Sequence, residues 1–165
     1  MKLRHFFSLF TFLLGISSIA NAQSSLHIFD IHRSINLNYV RYDLKLTSDG
    51  KIDADQPVDG YWIMAAEDGR REEISWLERK AYGYSVASPS DSSLTLNLKA
   101  LPGKPLSLTV AKNQVVPGVE ISNRSAILTE VFVQVSHSIF PGVDFIRVDG
   151  TDSVTGASLE EIVRP

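Results

Sequence analysis

Along residues 37–47 apolar and polar side chains alternate: Val40, Tyr42, Leu44 and Leu46 share one parity, and Tyr39, Arg41, Asp43 and Lys45 share the other. A period of two with β-branched and aromatic members predicts a half-buried strand whose Val and Leu side faces the core. Ser48-Asp49-Gly50-Lys51 then supplies turn chemistry, because Asp-Gly accepts the positive φ angles of a tight turn. An apolar run at 61–66, bounded by Gly60 and by Asp68-Gly69, reads as the next strand. The pattern returns at 84–87, in Leu94, Leu96 and Leu98, and in Leu106, Leu108 and Val110. It continues through 115–121, 126–135 and 143–148, and Thr155-Gly156 introduces a last strand over 159–163. One short helix is expected in ISWLERKAYG, where Ser75 and Glu78 have capping-box spacing and Gly83 is placed to end the element.

Nine or ten short strands with close turns and one small helix predict an all-β domain, an antiparallel meander that is β-barrel-like or a two-layer sandwich. An open sheet of that size would leave a face and two edges uncovered.

Composition narrows the setting. Lys2, Arg4 and His5 precede an apolar run that closes on Ala20-Asn21-Ala22, the plan of a secretory signal peptide cleaved after Ala22. The expectation is an exported protein of the periplasm or extracellular space, with residues 1–22 removed and a single β-domain over 26–165. The apolar run is shorter than the roughly 20 residues that span a bilayer, so no membrane span is expected in the mature chain. The 165 residues include no cysteine, which excludes disulfides, thiolate metal sites and a lipid-modified cysteine. Lys and Arg total 16 against 19 Asp and Glu, and removal of Lys2 and Arg4 makes the balance more acidic. That gives no electrostatic footprint for nucleic acid or an anionic membrane surface.

The stretch HIFDIHRSINLNYVRYDL at 27–44 concentrates two histidines, two arginines and two asparagines in strand-forming sequence. In an unbroken strand His27 and His32 face opposite ways, which disfavours a two-histidine metal site. Asp30 and His32 could meet one ion only with a ligand from elsewhere, such as His137. Arg33, Ser34, Asn36 and Asn38 fall where the first strand turns into the second. They either bond their own backbone and build the turn, or form with His32 and Arg41 a polar pocket for a carboxylate, phosphate or sulfate. Tyr61, Trp62, Trp76, Arg79, Tyr82 and Tyr84 gather aromatic area around the helix, as a core plug or as the wall of a pocket for a ringed ligand.

Catalytic signatures are weaker. Gly83-Tyr84-Ser85-Val86-Ala87 resembles a truncated nucleophile elbow, but the elbow needs a helix after its serine and here the helix comes before. Ser48 and Lys51 have serine-x-x-lysine spacing inside a hairpin turn. Asp49, Asp53, Asp55 and Asp59 fail the calcium-loop pattern, since Lys51 occupies a ligand position. Glu72, Glu73 and Glu78 fit a charged loop and a helix start as well as an acid-base pair. Asn123-Arg124-Ser125 is a glycosylation sequon, relevant only in a host that glycosylates exported proteins. No cofactor is called for.

Several of these residues carry a resemblance. His27-Ile28-Phe29, Arg33-Ser34, Asn36, Asn38, Val40, Tyr42-Asp43, Asp49-Gly50-Lys51, Pro57-Val58, Tyr61-Trp62 and Ala81-Tyr82-Gly83 are together similar to a bacterial domain of unknown function, DUF4833. The likeness spans about residues 26–163 and is clearest in the first half. It implies a small, frequently exported single domain and brings no activity or catalytic residue with it.

The leading functional expectation is a non-enzymatic exported β-domain that binds a small or glycan-like ligand. His32, Arg33, Asn36, Asn38 and Arg41 would supply polar contacts, and Tyr61, Trp62 and Tyr82 an aromatic wall. The alternatives are a structural or protein-interaction module of the cell envelope, and an envelope hydrolase built on His32, His137 and the carboxylates.

Overall fold

The computed structural model describes residues 24–136 and 142–164; residues 1–22, where a signal peptide is expected, and His137 lie outside them. The described elements are β1 (Ser24–Arg33), β2 (Tyr39–Leu46), β3 (Val58–Ile63), β4 (Arg71–Glu73), α1 (Arg79–Tyr82), β5 (Tyr84–Ala87), β6 (Ser93–Leu98), β7 (Leu106–Ala111), β8 (Gln114–Ile121), β9 (Arg124–Val135), β10 (Val143–Asp152) and β11 (Ser158–Val163). The domain is all-β, and every strand except β4 coincides with a run of alternating or apolar residues. Arg71-Glu72-Glu73 offers no apolar member to alternate, and its charges suit an exposed sheet edge.

All strands join one mixed sheet organised around β9. Ala126 and Ile127 pair with both β8 and β10, while Val131 and Val133 pair with both β1 and β10. A strand has only two edges, so β10 occupies one of them, and β8 and β1 divide the other between its two halves. The β1 pairing is parallel, matching Ile31, His32 and Arg33 to Val131, Phe132 and Val133. This is the departure from a purely antiparallel meander. Two arms therefore hang from one edge of β9: β1-β2-β3-β4 and β8-β7-β6-β5.

The arms face one another without closing the sheet. The Tyr42 hydroxyl of β2 donates to the Tyr82 carbonyl at 2.7 Å, and the Tyr42 and Tyr84 rings meet edge-on with centroids 6.3 Å apart. Ile52 N–H donates to the Asp91 carbonyl across the same gap. The inward side chains make one core, including Ile31, Val40, Tyr42, Leu44, Leu96, Leu106, Leu108, Ile121, Val131 and Val148, all fully buried. Each such aliphatic side chain contributes about 1.5–3 kcal/mol by leaving water.

The expected capping box is present: Glu78 Oε2 accepts from Ser75 N–H at 2.9 Å, and Glu78 N–H donates to Ser75 Oγ at 3.3 Å. The helix it starts is only one turn long. Gly83 ends it, though with an extended backbone (φ −69°), and what requires glycine there is space. A Cβ at Gly83 would lie 2.3 Å from the Arg79 carbonyl oxygen. No helix among the described residues is long and apolar enough to cross a membrane.

The β10–β11 turn supplies a pH test. The Asp152 carboxylate, 6 % exposed, accepts from Thr155 N–H and Val154 N–H and pairs with Arg124 at 2.6 Å. The Thr155 N–H, above all, holds its pKa below the usual carboxylate range, with Arg124 adding to the effect. A folded value below the unfolded one, about 3.9, stabilises fully above that pH and is lost as pH falls through the folded value. Urea denaturation repeated from about pH 5 downward should therefore show an acid limb that Asp152→Asn flattens. An unchanged limb in that variant would assign the acid sensitivity to other carboxylates.

Candidate functional site

The polar stretch at 27–44 is distributed over two faces by a β-bulge. His27 pairs with Asp43 while Phe29 pairs with Tyr42, so Ile28 is the extra residue and both Ile28 and Phe29 are buried. The bulge brings His27 to the outer face beside Asp43 (Nδ1–Oδ1 3.4 Å) and Asp30 (Nε2–Oδ2 3.8 Å). His32, on the same outer face, lies against Tyr39 with ring centroids 4.9 Å apart. Among the described residues no group of three His, Asp or Glu side chains is arranged to hold a metal ion.

The outer face is a self-paired ladder. Arg41 makes a two-pronged contact with Asp30 at 3.0 and 2.9 Å and lies 5.4 Å from the Tyr39 ring centre. That carboxylate holds the guanidinium above even its ordinary pKa range. Tyr61 donates to Asp43 at 2.6 Å, and burial together with this bond pushes its phenol up to about 12. Arg71 covers the Tyr61 ring at 3.8 Å while bonding Asp59 and Glu73, each at 3.0 Å. Arg147 repeats the arrangement over Phe132, bonded to Asp149 and Glu130. Each of these arginines has its carboxylate, and each of these aromatic rings carries a cation or imidazole on it. His32, Arg41 and Tyr61 thus belong to a satisfied surface.

The remaining candidates meet at the inner end of β1. Arg33 stacks on Trp62 at 4.2 Å and donates to Asn36 Oδ1 at 3.2 Å; the Trp62 ring meets Tyr82 edge-on at 5.2 Å. Arg33, Asn36, Trp62 and Tyr82 therefore form one row from the β1–β2 junction to the end of α1. Asn36 also accepts from Asn38 N–H, and the buried Asn38 side chain accepts from Ala66 N–H at 2.8 Å, tying this junction to the turn after β3. Arg33 Nε and Trp62 Nε1 are buried without a hydrogen-bond acceptor. The indole still lies near enough to Glu78 to act on its charge. Burial, the largest influence on Glu78, favours its neutral form, yet the bonds from Ser75 outweigh it and hold the carboxyl below its ordinary range.

A broad concavity lies where the two arms fail to join. β4 covers only Tyr61, Trp62 and Ile63, so Val58 through Gly60 form a free edge of β3, and β5 is the free edge of the other arm. Between them runs a cleft of about 730 Å³ walled by Lys45, Val58, Asp59, Arg71, Glu73, Arg79, Tyr84 and Val86. The Tyr84 hydroxyl bridges the gap to the Val58 carbonyl. Burial, reinforced by Asp59, raises the Tyr84 pKa, while Arg79 pulls it down. The cleft continues past Gly60 and Ile74 into a second lobe of about 400 Å³ bounded by Asp59, Glu73, Arg79, Tyr82, Tyr84 and Lys99. Asp59 and Glu73 are committed to Arg71, with Lys45 3.7 Å from Asp59. Arg79 donates only to the Ile74 carbonyl, and neither it nor Lys99 has a carboxylate partner among the described residues.

The model of a domain of unknown function, DUF4833, matches residues 29–161. The chain belongs to the DUF4833 family. No curated protein and no solved structure matches it.

In this DUF4833 domain the cleft draws on residues from distant parts of the chain, and of the eight named ligand candidates only Tyr82 reaches it. Arg79 and Tyr84 stood in the aromatic cluster around the helix, but Lys45, Arg71 and Lys99 carried no local signal; only the fold brings them together. The motifs judged weak have local roles. Ser85 lies on β5 after the helix; Lys51 pairs with Asp49 and Asp91; Asp53 Oδ1 accepts from Asp55 N–H and Gln56 N–H in its own turn. Asn123 sits at φ +61° in the exposed β8–β9 turn.

Proposed function

We propose that this DUF4833 domain is a non-enzymatic, exported ligand-binding β-domain and that its ligand occupies the cleft between β3 and β5. The observation behind this reading is the pair Arg79 and Lys99, two cations on the cleft wall without a carboxylate partner among the described residues, because the acids beside them, Asp59 and Glu73, are held by Arg71; Tyr82 and Tyr84 stand next to the pair. A ligand bearing a carboxylate, phosphate or sulfate supplies the missing charge, and the aromatic rings supply apolar contact. Binding is favoured over hydrolysis because Asp59 and Glu73, the two acids common to both lobes, are already held by Arg71. Export rests on the basic, apolar and small-residue order of residues 1–22.

The test is native mass spectrometry of protein purified gently from its own host, compared with the same sample denatured. We expect a non-covalent mass that denaturation removes. Arg79→Ala and Lys99→Ala should each weaken its retention about tenfold or more, as expected for loss of a charge-assisted hydrogen bond. A bare polypeptide together with no effect of either variant would defeat the reading.

A protein-interaction module is the second reading, favoured by the backbone at the cleft. Lys45 N–H bonds the Pro57 carbonyl and Lys99 N–H bonds the Gly83 carbonyl. Ladder alternation therefore turns the backbone groups of Val58, Gly60, Tyr84 and Val86 toward the gap, where an extended peptide segment could pair. Such a partner would protect those four amides from hydrogen exchange, whereas a small ligand would leave them exchanging.

A further inference from the structure

The second lobe of the cleft does not end at Tyr82 and Lys99. On their other side lies a third concavity of about 320 Å³, lined by Ala81, Ala100, Pro102, Val133, Val143 and Ile146 together with Tyr82 and Lys99 themselves. Its character is opposite to that of its neighbour: Lys99 is its only charged side chain among the described residues. The two lobes thus share a wall of one aromatic ring and one ammonium stem. A lysine in that position lays its methylenes along apolar surface and carries its charge to the polar side. Arg79 stands beyond it in the second lobe, where the acids Asp59 and Glu73 are taken up by Arg71.

We infer that the ligand of this site is a single-chain amphipathic anion, with its acidic head between Lys99 and Arg79 and its hydrocarbon chain across Tyr82 in the groove beside Ala81 and Val143. This inference rests on the binding reading above and specifies its ligand. The two lobes explain each other. A purely polar anion would leave Ala81, Pro102, Val143 and Tyr82 in contact with water, and a neutral hydrocarbon would leave the two cations without a counter-charge. Val143 is 41 % exposed, a large apolar residue that a bound chain would cover. The opposite wall is firm, since Val133 and Ile146 belong to the core. The groove is therefore a fixed half-channel whose outer side is open.

Decanoate, butanoate and methyl decanoate are the probes, titrated into the mature domain by isothermal calorimetry. Decanoate should bind, with affinity rising about two- to fourfold for each methylene added from butanoate until the groove is filled. Methyl decanoate, which keeps the chain and lacks the charge, should bind at least tenfold more weakly. Ala81→Glu places a carboxylate at an exposed helical position that tolerates it, and should cut decanoate affinity at least tenfold while leaving the melting temperature unchanged. Val143→Ser gives a second, milder reading of the same wall. Butanoate binding as tightly as decanoate, with Ala81→Glu silent, would overturn the hydrocarbon half and leave the anion-binding reading standing. Methyl decanoate binding as tightly as decanoate would overturn the charged half. Failure of both decanoate and butanoate to bind would overturn the inference, and with a bare mass from the native protein it would overturn the ligand-binding reading as well.

Discussion

Tyr42→Ala is expected to cost about 3–5 kcal/mol of folding stability, read as a lower urea midpoint at unchanged slope. The ring has no exposed surface, stacks on Phe29 at 4.8 Å and meets Tyr84 edge-on, so its loss empties the centre of the space between the two arms. Domains of this size hold only about 5–15 kcal/mol in total, so the change removes a large share. Tyr42→Phe separates the hydroxyl from the ring. It should cost about 1–3 kcal/mol, because the Tyr82 carbonyl loses its donor in a place water reaches poorly. It should also weaken ligand retention, since that bond anchors Tyr82, the ring shared by both lobes of the proposed site. Burial pushes the Tyr42 phenol well above its usual pKa, so the donor stays protonated throughout such measurements. A Tyr42→Phe variant as stable as the parent would show that the bond between the arms contributes nothing.

Gly83→Ala comes second, at about 3 kcal/mol or somewhat less. The added methyl would meet the Arg79 carbonyl oxygen at 2.3 Å, and a backbone atom inside a helical turn cannot move aside without opening the turn. Opening it displaces Arg79, so the variant should lose ligand as well as stability. Gly118→Ala is the control. Its new methyl would meet an atom at a similar 2.4 Å, but that atom is the Ser107 hydroxyl, which can rotate away. Thermal melts of the two variants should therefore separate clearly, and equal losses would mean that contact distance alone decides.

The strands were legible because their inward parity is apolar almost without interruption: Val40, Tyr42, Leu44 and Leu46, then Leu94, Leu96 and Leu98, are buried as alternation required. The family resemblance read from the first half is borne out over residues 29–161. Two features escaped local reading. The bulge at Ile28 adds one residue to a run that scans equally well without it, and it alone decides that His27 joins Asp30 and Asp43. The parallel contact of β1 with β9 has no local signature, because both strands look like ordinary members of hairpins. The polar crowding at 27–44 marked real structure, a charge ladder on one face and a stapled turn at one end. The concavity beside it is assembled from β2, β3, β4, α1, β5 and Lys99 just after β6, and no stretch of sequence contains more than a fraction of its wall.

The seam at β9 also bears on how the chain acquires its shape. β1 and β9 are separated by about a hundred positions, yet they share one edge through three residues a side. Until β9 exists, β1 and β2 form a hairpin with an open side, while β5 through β8 can zip locally through close turns. Assembly should thus be sequential, with the β5–β8 meander and the β9–β10 pair forming a platform onto which the first hairpin is laid. Contacts of such long sequence separation form slowly because their loop must close before they stabilise anything. A hairpin that docks only after β9 is present carries an unpaired strand edge until then, so the seam is also the place where the folding chain is most open to pairing with a second copy.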